Sequence, residues 1–135
     1  MSSSPKSDVD SDASKIAAVR AAWIAAVKCS DVSCLTNLGT DDVVAVHGTG
    51  RCVCGKEELK ADLLRGFAMF DAERNVLSSE VIVRDNWAIE IDEIRSTVTS
   101  VSGGLPVYSH LRAVVIFARQ PDSSWKVARV MELLD

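Results

Sequence analysis

A chain of 135 residues has the length of one domain, and 47% hydrophobic with 25% charged residues is an ordinary globular balance. That balance excludes disordered, fibrous and collagen-like chains. The net charge of −4 excludes the basic field that gathers nucleic acid, and it gives membrane surfaces and acidic ligands no global attraction.

Residues 1–12 are small and polar, with Ser2, Ser3, Ser4, Pro5, Lys6, Ser7 and Asp8. No apolar run follows a basic start, so they read as a disordered leader rather than a secretory signal. One domain, 13–135, is expected after them. No stretch approaches the roughly 20 apolar residues of a membrane helix, and the expected location is the cytoplasm.

From Ala13 to Cys29 the apolar side chains Ile16, Val19, Trp23 and Val27 fall on one helical stripe, filled in by alanines. Ser30 and Asp31 suit the N-cap of a short second helix ending at Leu38, with Gly39 as its stop. Asp42–His47 reads as a strand, Gly48-Thr49-Gly50 as a turn, and the residues through Cys54 as a partner strand. A third helix runs from Gly55 to Phe70, with Leu59, Leu63, Phe67 and Phe70 as its stripe. Glu57 and Glu58 in its first turn favour the helix dipole.

Four long strands follow: Glu73–Arg84, Trp87–Ser100, Val107–Arg119 and Ser124–Leu134. The turns between them are Asp85-Asn86, the Gly103-Gly104-Leu105-Pro106 segment and Gln120–Ser123. Strands joined by tight turns are antiparallel. Three helices with such a sheet give an α+β fold, a curved antiparallel sheet wrapped as a cone around the helices. Alternation in the second long strand puts Trp87, Ile89 and Ile91 on one face, the expected core face, and Glu90 with Asp92 on the other. The third is apolar on both faces, which calls for a second subunit against the outer one.

The four cysteines form a C-x4-C (Cys29, Cys34) and a C-x-C (Cys52, Cys54). Neither pattern joins the distant His47 and His110 in the spacing of a zinc site, and the expectation is small buried thiols without metal. No phosphate-binding glycine loop, dinucleotide fingerprint or nucleophile elbow is present, so no cofactor is implied.

The first helix with Trp23, the strand Asp41-Asp42-Val43-Val44, the helix start Gly55-Lys56-Glu57 and the final Trp125-Lys126-Val127 together resemble the SnoaL-like group. This group sits in the nuclear transport factor 2-like superfamily, relatives of ketosteroid isomerases and polyketide cyclases, with a cystatin-like cone. The resemblance spans Ser14 to Glu132. It implies a pocket between helices and sheet, and a homodimer packed through the sheet face. Similarity to the steroid isomerases aligns His47 with their aspartate base. Their other two roles, a first-helix tyrosine and a protonated aspartate, find Trp23 and an apolar Val114-Val115-Ile116-Phe117 run here. This departure argues against steroid isomerisation itself.

Read from the residues, His47 shares a strand face with Val43 and Ala45. It is either a base at the pocket or a strand-end histidine facing a turn. Tyr108, His110 and Arg112 alternate on one face of the third long strand. They suit a carboxylate or enolate if that face lines the pocket, or a partner subunit if it does not. Trp23, Phe67 and Trp87 are core residues or a ligand platform. The expected function is a small-molecule pocket for an apolar carbonyl compound. Isomerisation, cyclisation or hydration would run without a cofactor, with His47 as base and His110 with Arg112 on the oxyanion. A non-catalytic binder and a homodimerisation module are the alternatives.

Overall fold

The computed structural model describes residues 5–134, with side chains from Ser11 onward. The elements in chain order are α1 (Pro5–Lys28), α2 (Val32–Asn37), β1 (Gly39–Val46), β2 (Cys52–Cys54), α3 (Gly55–Met69), β3 (Phe70–Arg84), β4 (Trp87–Ser100), β5 (Val107–Arg119) and β6 (Trp125–Leu134). Helix α1 starts eight residues before the expected Ala13, so the leader reading fails for residues 5–12, while residues 1–4 lie outside the described part. Asp12 explains the longer helix. Its carboxylate receives Arg119 Nη1 at 3.0 Å and Trp125 Nε1 at 3.2 Å, which pins this part of α1 to the sheet. The polar composition that reads as a leader thus includes an anchoring residue.

Local chemistry sets the other boundaries. Asp31 Oδ1 accepts the Cys34 N–H at 3.0 Å and caps α2. The two-residue turn between β3 and β4 places Asp85 at φ 46°, a conformation that aspartate tolerates better than most residues. Helix α3 passes directly into β3 at Phe70, three residues before the expected start, so Phe70 is exposed rather than part of the helical stripe.

The six strands form one sheet in the order β2-β1-β6-β5-β4-β3. All neighbours are antiparallel except β1 and β6, whose parallel pairing joins the first hairpin to the later meander. Register shifts at Val76/Ser78 in β3, at Ile116/Phe117 against β6, and at Gly39/Val44 in β1 bend the sheet. The resulting concave face closes over α1 and α3, where Ile16, Val43, Leu59, Phe117, Trp125 and Val127 form the main core.

Strand β4 reverses its expected orientation. Ala88, Glu90, Asp92, Ile94 and Ser96 are buried on the concave face, while Trp87 and Ile91 are among the exposed residues of the convex one. Alternation gave the two sets correctly; hydropathy assigned them to the wrong sides. Three of the four cysteines, Cys29, Cys52 and Cys54, are exposed and Cys34 is half-buried, so the expectation of buried thiols also fails. Among the described residues no helix is long and apolar enough to cross a membrane.

Candidate functional site

Helix α1 presents Val19, Arg20, Trp23 and Val27 to the sheet at helical spacing, and α3 presents Leu59, Asp62, Leu63 and Phe67. With Ala113, Val115 and Phe117 of β5 as a floor, they enclose a cavity of about 210 Å³. A more open depression beside it shares His47, Asp62, Leu63, Phe67 and Ala72, so these residues ring the passage between the two. Apolar walls of this kind strengthen every electrostatic contact inside them.

Three charged groupings interrupt the walls. In the first, Arg20 Nη1 donates to Glu90 Oε2. Glu90 is fully buried, and its Oε1 has no hydrogen-bond partner among the described residues. Burial and the adjacent Asp92 carboxylate push Glu90 up to about 8 against the pull of Arg20, so it carries a proton at neutral pH. Asp92 in turn accepts the Ser79 hydroxyl at 2.6 Å.

In the second, Arg74 of β3 forms a bidentate pair with Glu132 of β6, at 2.7 and 3.2 Å, spanning the inside of the cone. The third lies at the passage, where His47 Nε2 donates to Asp62 Oδ2 at 3.0 Å and Arg51 approaches Asp62 Oδ1 at 2.7 Å. Burial works to raise Asp62, but hydrogen bonds from Arg51 and His47 outweigh it and hold the carboxyl below its usual range. An ionised Asp62 fixes the His47 tautomer with hydrogen on Nε2 and leaves Nδ1 as the basic nitrogen.

The structure therefore brings together three of the seven expected residues: His47, Trp23 and Phe67 line the cavity. Trp87, Tyr108, His110 and Arg112 lie on the convex face. The cavity side of β5 belongs to the opposite alternation, Ala113, Val115 and Phe117. His110 Nε2 meets Glu93 Oε1 at 2.8 Å on that outer surface. His110 and Arg112 thus do not reach the cavity, and the oxyanion role expected of them has no geometric basis. Sequence reasoning missed Glu90, Asp92, Asp62 and Arg20. The signal was present as a Glu-x-Asp pair in an otherwise apolar strand, and the rule that apolar residues face inward discarded it.

No protein-family profile matches the sequence, and neither does any curated protein. Solved structures do match. A conserved protein from Planctomyces limnophilus is 27% identical, with a TM-score of 0.82 over 93% of this chain and 98% of that one. A ketosteroid isomerase-like protein from Erwinia carotovora atroseptica is 21% identical, with a TM-score of 0.78 over 90% and 94%. A nuclear transport factor 2-like superfamily protein from Salmonella enterica shares 13% identity, with a TM-score of 0.84 over 92% and 91%. Among the described residues three helices, a curled six-stranded sheet and a cavity between them make up the cone-shaped α+β fold that these nuclear transport factor 2-like structures have.

Proposed function

We propose that the protein is a small-molecule enzyme that performs cofactor-free acid–base chemistry on an apolar, carbonyl-bearing compound. The observation that carries this reading is Glu90, a carboxyl buried at the wall of an apolar cavity whose passage holds a histidine–aspartate pair; burial and the neighbouring Asp92 favour its protonated form. A buried carboxyl pushed toward its protonated form and a histidine on the same cavity are what isomerisation, cyclisation or hydration of a carbonyl compound requires. His47, held by Asp62, removes the proton next to the carbonyl. Glu90 donates a hydrogen bond to the oxygen as negative charge develops there, in the role expected of His110 and Arg112. Trp23, Phe67 and Val115 shape the apolar part of the ligand's seat. Neighbours named as ketosteroid isomerase-like and as a candidate dehydratase of the same fold support the class of chemistry.

The test is proton exchange in deuterated water with a panel of small enolisable ketones, read by NMR. The intact protein is expected to exchange the α-hydrogens of a subset of them. His47→Asn slows exchange by about 100- to 10,000-fold and Glu90→Met, which removes the donor, by about 100- to 1,000-fold, while Tyr108→Phe on the convex face leaves it unchanged. Ligand binding without exchange by the intact protein would favour the non-catalytic binder. Equal exchange by His47→Asn would remove the histidine from the chemistry.

The same reading includes a homodimer through the convex face. A single copy leaves Trp87, Ile91, Met131 and Leu133 exposed there.

A further inference from the structure

The C-x-C of β2 lies outside the cavity and takes no part in the proposed acid–base chemistry. Alternation in the strand turns Cys52 and Cys54 to the same exposed side, with the buried Val53 between them. Their sulfurs are 4.0 Å apart. The spacing is held by the backbone. Val44 pairs with Cys54 and Val46 with Cys52 on β1, Val53 is fixed in the core, and Glu58 Oε2 accepts the Cys54 N–H at 2.6 Å.

From this geometry we propose that Cys52 and Cys54 form a chelating site for one soft monovalent cation, Cu(I). A disulfide is the rival use of two such thiols. It requires sulfurs about 2.05 Å apart on α-carbons about 4.4–6.8 Å apart, and residues i and i+2 of an extended strand, about 6.6–6.8 Å apart, stand at the far end of that range. Closing the bridge would have to draw the sulfurs together by about 2 Å on a backbone that the ladder and Val53 hold. A metal needs no such bend. With metal–sulfur bonds of about 2.3 Å, sulfurs 4.0 Å apart subtend an angle of about 120° at the ion, and a small opening of the side chains reaches the roughly 4.6 Å of a linear arrangement.

The donor count selects the ion. Zinc takes four ligands in a closed site, and among the described residues no group of three or more His, Cys, Asp and Glu could hold a metal. Two thiolates alone suit a soft, low-coordinate ion, and Cu(I) is the biological case. On binding, two S–H protons pass to solvent, two metal–sulfur bonds form, and the oxidation state of copper is unchanged. The product is a mononegative complex. The nearest charges act in opposite senses: the Glu58 carboxylate at the Cys54 N–H disfavours the negative complex, and Arg129, in the same cross-strand row through Val44, favours it.

The experiment is anaerobic titration of the intact protein with Cu(I) supplied as its bathocuproine disulfonate complex, followed by the fall in the chelator's colour. One Cu(I) per chain is expected to transfer. Cys52→Ser and Cys54→Ser each weaken retention by about 100- to 10,000-fold, the loss of one arm of a two-point attachment. Cys29→Ser, an exposed thiol elsewhere, leaves it unchanged. Failure of the intact protein to take copper, equal retention by Cys52→Ser and Cys54→Ser, or one ion shared between two chains would each overturn the proposal.

Discussion

At the scale of single residues, Glu90 decides what the cavity is. Its carboxyl titrates near 8 instead of 4.5, because burial and Asp92 disfavour its charge more than Arg20 favours it. A raised carboxyl means that the folded chain holds a proton the unfolded chain has released between those two values. Stability therefore falls as pH rises from about 4.5 through 8. Asp12 and Asp62 have lowered values, with Arg119 the main cause at Asp12 and Arg51 with His47 outweighing burial at Asp62. Their contributions are complete above the ordinary carboxylate range and are lost only in strong acid, so they do not overlap this window. Glu90→Gln keeps an oxygen for Arg20 and removes the titration. Thermal melts at successive pH values are expected to show the intact protein losing stability across this window and the variant losing markedly less. Parallel profiles would mean that Glu90 is ionised throughout.

At the scale of elements, the added N-terminal part of α1 is tied to the sheet through Asp12. Asp12 takes both guanidinium nitrogens of Arg119 and the indole N–H of Trp125, and the Arg119 guanidinium lies 4.5 Å over the Trp125 ring. Asp12→Ala removes three hydrogen bonds and leaves Arg119 without its carboxylate. The expected loss is about 1.5–3 kcal/mol, as for hydrogen bonds to charged groups. Hydrogen exchange is expected to rise first in the N-terminal turns of α1, and a melt unchanged within 0.5 kcal/mol would show the clasp to be idle. The helix stripe from Ile16 to Val27, the Asp31 cap, the two-residue Asp85-Asn86 turn and the succession of elements along the chain were all legible in the sequence, because spacing and turn chemistry are local. Two kinds of fact were not. The parallel pairing of β1 with β6 joins residues about 85 positions apart, and the inward face of β4 depends on what lies across from it. Hydropathy put Trp87, Ile89 and Ile91 inside because burial of apolar surface is the larger general term. A cavity that holds Arg20 over Glu90 reverses that ordering, and the apolar residues are left outside.

At the scale of the whole molecule, that reversal is itself the argument for a second copy. Placing two acids inward costs desolvation, and turning tryptophan and isoleucine outward forgoes burial that a monomer does not recover. The convex face of β4, β5 and β6 carries Trp87, Ile91, Met131 and Leu133 beside Glu93, His110 and Arg112. Both signs of charge on one patch allow it to meet itself about a two-fold axis, each acid facing a base of the other copy. A standard interface covers about 800 Å² on each side, an area within reach of three strands more than nine residues long. Sedimentation or light scattering at micromolar concentration is expected to give twice the chain mass. Trp87→Glu with Ile91→Arg halves it, and both substitutions sit away from the cavity, so proton exchange on an isolated chain continues. A wild-type monomer at 100-fold higher concentration, or a double variant that stays paired, would put the outer residues to some other use.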